Sequence, residues 1–311
     1  MSFAPQAVRN LYSDLYGVDM LPVLEELFRQ EFARHPSRRE ALFKIVPHDR
    51  DIWQSSELSD MELFQEVPEG TEYSFKRSKQ GASKTLSPVK YGLGFSISEE
   101  MVDDGKFDLI ADMTRKLAES ARESQEIQAM NIFNNGFSSE LAWDGLSVFN
   151  TAHLAGPSGL TYRNRLAVNA DLSVTALDTA LSDFETQFVG DSGIIKNIQP
   201  KILLVHPSQK RYAMELIGSE LKADTADNNM NSFKPDGLMV LSSPHLSDPD
   251  AWFLCAAPGQ SGLRIISRSP IETKAAGPDE GFDTDSIKYK CKYREKIGVT
   301  YGYGVFGSPG A

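Results

Sequence analysis

Thirty consecutive residues, Lys106–Asn135, contain neither proline nor glycine, and Gly105 and Gly136 bracket them. Ile110, Met113, Leu117 and Ala121 recur at helical spacing and form one apolar stripe. A helix of that length reaches ~45 Å at 1.5 Å per residue, well beyond the usual three to four turns. Such an element is the backbone of an extended molecule. Asp103 and Asp104 precede it and are expected to cap it and to favour its positive end.

The segments before the helix are expected to be less self-contained. Leu24, Leu27, Phe28 and Phe32 give one helical stripe that Pro36 stops, and a second short helix is expected around Arg38–Ile45. Residues 55–70 are polar and turn-rich, and 72–98 have the shape of a long hairpin. Tyr73 and Phe75 alternate with polar residues, Tyr91, Leu93, Phe95 and Ile97 alternate with small ones, and Lys79–Pro88 reads as a flexible tip. From Tyr73 to Ser98 there are five bases (Lys76, Arg77, Lys79, Lys84 and Lys90) and no acid. A two-stranded ribbon is marginal alone, so arm and ribbon are expected to lie on another molecule.

After the helix, α and β signals mix. DGLSVF reads as a short strand, Val174–Phe188 as a helix, and KILLVH as a buried strand ended by Pro207. Gln209–Gly218 reads as a helix, 222–236 as a polar loop, and GLMVLSS and AWFLCAA as core strands. In SIKYKCKYREKIGV, Lys288, Lys290, Lys292 and Arg294 alternate with Tyr289, Cys291 and Tyr293, giving a strand with one basic and one apolar face.

Charge and composition remove several functions. The net charge is −11, from 43 acidic and 32 basic residues, which argues against gripping nucleic acid over the whole surface. Two cysteines without a CxxC pair support neither a disulfide framework nor a structural zinc. No apolar run approaches the roughly 20 residues needed to span a bilayer, so no membrane partner is expected. The start lacks a basic region followed by an apolar stretch, which reads as no secretory signal.

Each chemical motif meets a structural rival. Gly190-Asp191-Ser192-Gly193 and Thr151-Ala152-His153 resemble the nucleophile and histidine segments of trypsin-like proteases, with Ser192 as nucleophile and His153 as base. Only 39 residues separate the two, a helix lies between them, and Ser192 sits in a polar turn. A loop turn and a surface histidine account for them better. Glu99-Glu100, Asp103-Asp104 and Glu25-Glu26 lie at helix starts or on polar faces, where capping is the better reading. Asp279, Glu280, Asp283 and Asp285 lack the spacing of a calcium loop. No phosphate loop or dinucleotide fingerprint is present. Catalytic residues, cofactor and metal are therefore all expected to be absent. The bases of 73–98, with Tyr73, Phe75 and Tyr91, fit either stacking nucleic acid or an arm lying on an acidic neighbour. The chain's own negative charge favours the neighbour.

In order along the chain, KYGLGFSISEEMVDDGKFDLIADM, NNGF with DGLSVFNTAHL, ILLVHPSQKRYAMELI, GLMVLSSPHL and DTDSIKYKCKYREKIGVTYGYGVFG resemble the tailed-bacteriophage major capsid proteins of the Hong Kong 97-like fold. More narrowly they resemble the Mu-like head subunit group. The resemblance implies an α+β subunit divided into an N-terminal arm (1–53), an extended β-ribbon or E-loop (54–98), and a peripheral domain with its spine helix (99–136). An axial domain (137–275) and return strands of the peripheral domain (276–311) follow. It implies a non-enzymatic major head protein, assembled in the bacterial cytoplasm into hexamers and pentamers of an icosahedral virion shell around double-stranded DNA. Implied partners are other copies of the chain, a separate scaffolding protein, a portal, and packaged DNA held without sequence specificity; decoration proteins stay open. A nanocompartment shell of the same fold is the nearest alternative, and a hydrolase using His153 and Ser192 a distant one. The five ribbon bases are expected to meet Glu99, Glu100, Asp103 and Asp104 of a neighbouring subunit.

Overall fold

The computed structural model describes residues 20–218, 237–275 and 286–311. Helix α1 (Met20–Arg34) buries Leu24 and Phe28. A single turn, α2 (Arg39–Leu42), leads into strand β1 (Lys44–Pro47). The short helix expected to run to Ile45 therefore ends early: Phe43 is already extended, and β1 pairs in parallel with a strand more than 200 residues later. Tertiary pairing outweighs weak local preference here.

The hairpin is also built differently from the expectation. Strand β2 (Trp53–Leu58) pairs antiparallel with β3 (Gln80–Leu86), so the stretch expected to be a flexible tip is itself a strand. Tyr73 and Phe75 lie in a segment, 59–79, that forms no strand. Their alternation has no sheet to face, and alternation alone does not make a strand without a partner surface. Strand β4 (Val89–Ser98) leaves the hairpin and joins a larger sheet.

A five-residue helix, α3 (Glu99–Asp103), turns through Gly105 into α4 (Phe107–Asn134), 28 residues and about 42 Å long. Gly105 has φ of 67°, the left-handed region that a side chain disfavours. The residue that flanks α4 is Lys106 rather than an aspartate, contrary to expectation, and it makes no side-chain cap. The insertion of α3 shifts the helix start past both aspartates.

The remaining elements are β5 (His153–Leu154), β6 (Thr161–Tyr162), α5 (Val174–Thr186), β7 (Pro200–Val205), α6 (Lys210–Gly218), β8 (Met239–Ser242), β9 (Trp252–Ala256), β10 (Leu263–Ala275), β11 (Ser286–Val299) and β12 (Val305–Ser308). DGLSVF forms no strand; Leu141 and Ser147 make one isolated bridge. The polar loop expected over 222–236 and the acidic group at 279–285 lie outside the described residues.

Two four-stranded sheets result, ordered β1-β10-β11-β4 and β12-β9-β7-β8. One face of the first sheet packs on α4 and α1, burying Ile97, Ile110, Leu117, Tyr289 and Cys291. The second sheet is covered by α5 and α6 around Leu177, Phe184, Leu203 and Trp252. Between them the last turns of α4 carry Met130 and Phe133 into an aromatic cluster with Phe43, Phe149 and Phe253. The chain crosses between sheets again after β11, so the second sheet closes only when β12 pairs with β9. Arm helix α1 thus has an internal core to rest on, contrary to the expectation of an arm without one.

Helix α5 begins at a well-formed cap, where Ser173 Oγ accepts from the Ala176 N–H at 3.2 Å. Ser173→Ala is expected to lower stability by about 1 kcal/mol, and Ser173→Asp to restore it, read from the urea midpoint of the unassembled chain.

Candidate functional site

The loop between β2 and β3 is the most exposed part of the described chain. At its root, the Ser59 N–H donates to the Lys79 carbonyl (2.8 Å) and the Lys79 N–H to Ser59 Oγ (2.9 Å). Lys76 pairs with Glu62 across the loop. Beyond that pair and a turn in which Thr71 donates to the Pro68 carbonyl, the tip is bare: Phe64 is 106% and Phe75 93% exposed, and Leu63 and Tyr73 are exposed as well. Aromatic side chains in water forgo roughly 1.5–3 kcal/mol of burial each, so a surface of this kind marks an interaction site.

The root is clamped to the second sheet's side of the molecule. Asp60 accepts from the Asp191 N–H at 2.9 Å and lies 3.6 Å from Lys196 Nζ. Glu57, on β2, is buried beside them. Burial pushes the Glu57 carboxyl up to about 7, against the pull of Lys196 and the Ala82 N–H, with Asp191 and Asp60 adding to the rise. Gly81 on the paired strand leaves room for it, since a Cβ there would come within 2.6 Å of Oε2.

The five bases do not act as one group. Lys76 is engaged by Glu62, Lys84 donates to the Leu141 carbonyl at 2.8 Å, and Lys90 stands on β4 within the four-stranded sheet. Arg77 and Lys79 are the exposed pair on the loop. Of the acidic group, Glu99, Glu100 and Asp103 lie in α3, and Asp104 follows and pairs with Lys106 at 2.8 Å. Its own backbone N–H and the Ser98 hydroxyl hold the Glu100 carboxyl below its usual range.

The protease-like pair does not form a catalytic site. His153 is fully buried rather than on the surface. Its Nδ1 lies 2.7 Å from Asp144 Oδ2 and its Nε2 3.0 Å from the Val148 carbonyl. Both ring nitrogens are engaged by oxygens of the chain, so neither is presented to a serine hydroxyl. Burial works against ionisation of Asp144, yet the hydrogen bond and charge of His153, with the Leu146 and Leu154 N–H groups, hold its carboxyl below the usual range. The ring stacks on Tyr162 at 5.2 Å and ties the 144–164 loops together. Ser192 lies in a turn made by Gly193 (φ 78°). The chain is expected to stay unlabelled by a fluorophosphonate probe, read by mass spectrometry. Among the described residues, no group of acidic, histidine or cysteine side chains is placed to hold a metal ion, and no helix is long and apolar enough to cross a membrane.

Both cysteines are free and buried. Burial pushes the Cys255 thiol far up and that of Cys291 up to about 12. Neither is expected to react with a thiol reagent in the native protein, and both are expected to react after denaturation without reductant.

A spine helix packed on one sheet, a second sheet with its own helices, and a long loop thrown clear of both define the Hong Kong 97-like capsid fold. The chain belongs to the phage capsid protein family, whose sequence profile, described as "Phage capsid protein", matches residues 81–306. It is accordingly a structural protein of the virion shell, which assembles with copies of itself, and not an enzyme. The fold is shared with the capsid of the cyanophage P-SCSP1u (TM-score 0.57, 10% identity, 89% of this chain and 90% of that one). It is shared equally with a virus-like particle from Pyrococcus furiosus (0.56, 11% identity, 94% and 100%). The mature capsid of bacteriophage PhiM1 is similar over 88% of this chain and 87% of its own (0.51, 13% identity). Comparison with curated protein sequences finds no match.

Proposed function

We propose that this chain is the major head protein of a tailed phage of the Mu-like group, closing through hexamers and pentamers into an icosahedral shell around double-stranded DNA. The loop tip carries the reading: its aromatics are exposed and uncovered by the described residues, and a shell supplies a partner to every copy. Scaffolding protein and portal act during assembly, and DNA meets the inner face without sequence readout. The peripheral domain is proposed as 99–136 with the return strands 276–311, the axial domain as 137–275, and 1–53 and 54–98 as arm and E-loop. Arg77, Lys79 and Lys90 are the bases proposed to reach a neighbour, and the acids of α3 are their candidate partners. The purified chain, supplied with scaffolding protein, is expected to give closed shells or large rings in negative stain. A strictly monomeric species at high concentration overturns the reading. The full-length fit to a virus-like particle chain favours a second reading, a shell enclosing enzymes. Nuclease-protected DNA in the particles supports the first, a co-purifying enzyme the second.

A further inference from the structure

Five buried polar atoms are left over where the arm, the spine helix and the long strand meet. Arg122, Gln125 and Glu126 stand three and four residues apart on α4 and share one face of it. The arm reaches that face through residues 37–39, because Glu126 Oε1 accepts from the Arg38 and Arg39 N–H groups at 3.0 and 3.4 Å. Arg39 Nη1 turns to Glu295 of β11 at 2.7 Å, and Arg122 Nη2 to the Phe32 carbonyl at 3.2 Å. These bonds leave a remainder. Arg39 Nε, Arg122 Nε, Gln125 Oε1, Glu126 Oε2 and Ser37 Oγ are buried with no hydrogen-bond partner among the described residues. Arg39, Arg122, Gln125 and Glu126 are each more than nine-tenths buried. Polar atoms so enclosed forfeit their hydration in full unless something inside the joint replaces it.

The chemistry of the remainder selects its ligand. The two guanidinium N–H groups donate, the Gln125 amide oxygen and the Glu126 carboxylate accept, and the Ser37 hydroxyl does either. A cation would leave the donors unmet and lie beside two arginines. An anion would leave the acceptors unmet and lie beside two glutamates. Inside the joint Arg39 and Arg122 face Glu126 and Glu295, so no net charge there calls for a counter-ion; Glu40 stands at the exposed rim, 3.8 Å from Arg122 Nη1. A small molecule that both donates and accepts meets all five atoms. We infer that the joint is a built water site, in which enclosed water bridges the Nε groups of Arg39 and Arg122 to Gln125 Oε1 and Glu126 Oε2. Buried water typically makes about three hydrogen bonds to groups otherwise orphaned. A water bridge is nearly as good as a direct bond, so arm and spine helix are held together here without direct pairing of every side chain.

Two measurements on the full chain test the site. A density map of the wild-type protein, fine enough to resolve ordered solvent, is expected to show water within about 2.7–3.2 Å of at least two of these atoms. The second measurement uses Gln125→Met, which keeps the length of the side chain and removes its oxygen. If that oxygen holds water, the folding equilibrium of the variant falls about fivefold, the factor for one net hydrogen bond, read from urea unfolding of the unassembled chain. If the joint is dry, the same change removes an orphaned acceptor and leaves the variant at least as stable as wild type. A map in which the side chains pair directly with no solvent between them overturns the water site, and so does a methionine variant as stable as wild type. Neither result bears on the shell reading, which does not enter the argument.

Discussion

Replacing Glu295 with alanine is expected to cost about 3–5 kcal/mol, the range for removing one partner of a buried ion pair. Glu295 lies on β11 and accepts from Arg39 Nη1 at 2.7 Å, with both side chains more than nine-tenths buried. Burial drives the Glu295 carboxyl above its usual range, while Arg39 and then Arg122 pull it down. The same polar layer contains Glu126 of α4, which accepts from the Arg38 and Arg39 N–H groups at 3.0 and 3.4 Å. Arg122 reaches back to the Phe32 carbonyl at 3.2 Å. One cluster therefore joins the arm, the spine helix and the long strand. Without Glu295 the Arg39 guanidinium stays buried without its ion-pair partner, which is where the cost arises. The pair itself is a poor source of net stability, because desolvation of two charges offsets most of their attraction. Arg39→Met with Glu295→Leu is thus expected to recover most of the loss. Urea unfolding of the unassembled chain measures all three proteins. A loss under about 1 kcal/mol for Glu295→Ala would mean that water reaches Arg39 and that the cluster is not sealed.

What could be read from the sequence divides along the same line of locality. The spine helix was legible because its stripe repeats every three or four residues, and Ile110 and Leu117 are buried as that stripe requires. The alternation in SIKYKCKY named the inward residues Tyr289 and Cys291 correctly. Pairing was harder. Strands β2 and β3 read QSSE and GASKT along their length and are separated by 21 residues, so no apolar alternation announces them. β4 is adjacent to β3 in sequence but pairs with β11 nearly 200 residues away, a choice fixed by the shared core under α4. His153 was misplaced on the surface because its partner Asp144 approaches through irregular loops, which carry no periodic signal. The exposed loop was legible as an element needing a partner. Its polarity was not: the bases drew attention, whereas Lys76 and Lys84 turn back onto their own chain and the bare tip is acidic.

The stability of the loop root is expected to fall as pH rises from about 4.5 to about 7, and Glu57→Gln is expected to abolish that dependence. Glu57 has an ordinary value of 4.5 when the chain is unfolded and about 7 when its carboxyl is enclosed between β2, Gly81 and the 190–196 turn. Between those values the folded protein holds a proton that the unfolded chain has released, so stability decreases with pH across the window. Below it the group is neutral in both states and nothing is lost; above it the full cost applies, up to about 3 kcal/mol at roughly 1.4 kcal/mol per pH unit. Burial sets the sign: it outweighs the pull of Lys196, and Asp191 and Asp60 add to the rise. Ionisation therefore brings a third carboxylate to one lysine at the point where the loop leaves the body. The Ala82 N–H favours the ionised carboxylate, so the cost of ionisation arises from enclosure of the charge and from the neighbouring Asp191 and Asp60, and not from loss of that bond. Urea midpoints of wild type and Glu57→Gln at pH 5 and pH 8 are the measurement. Wild type should lose about 2–3 kcal/mol more than the variant between the two. Identical pH profiles for the two proteins would falsify the enclosure and leave Glu57 a solvated residue.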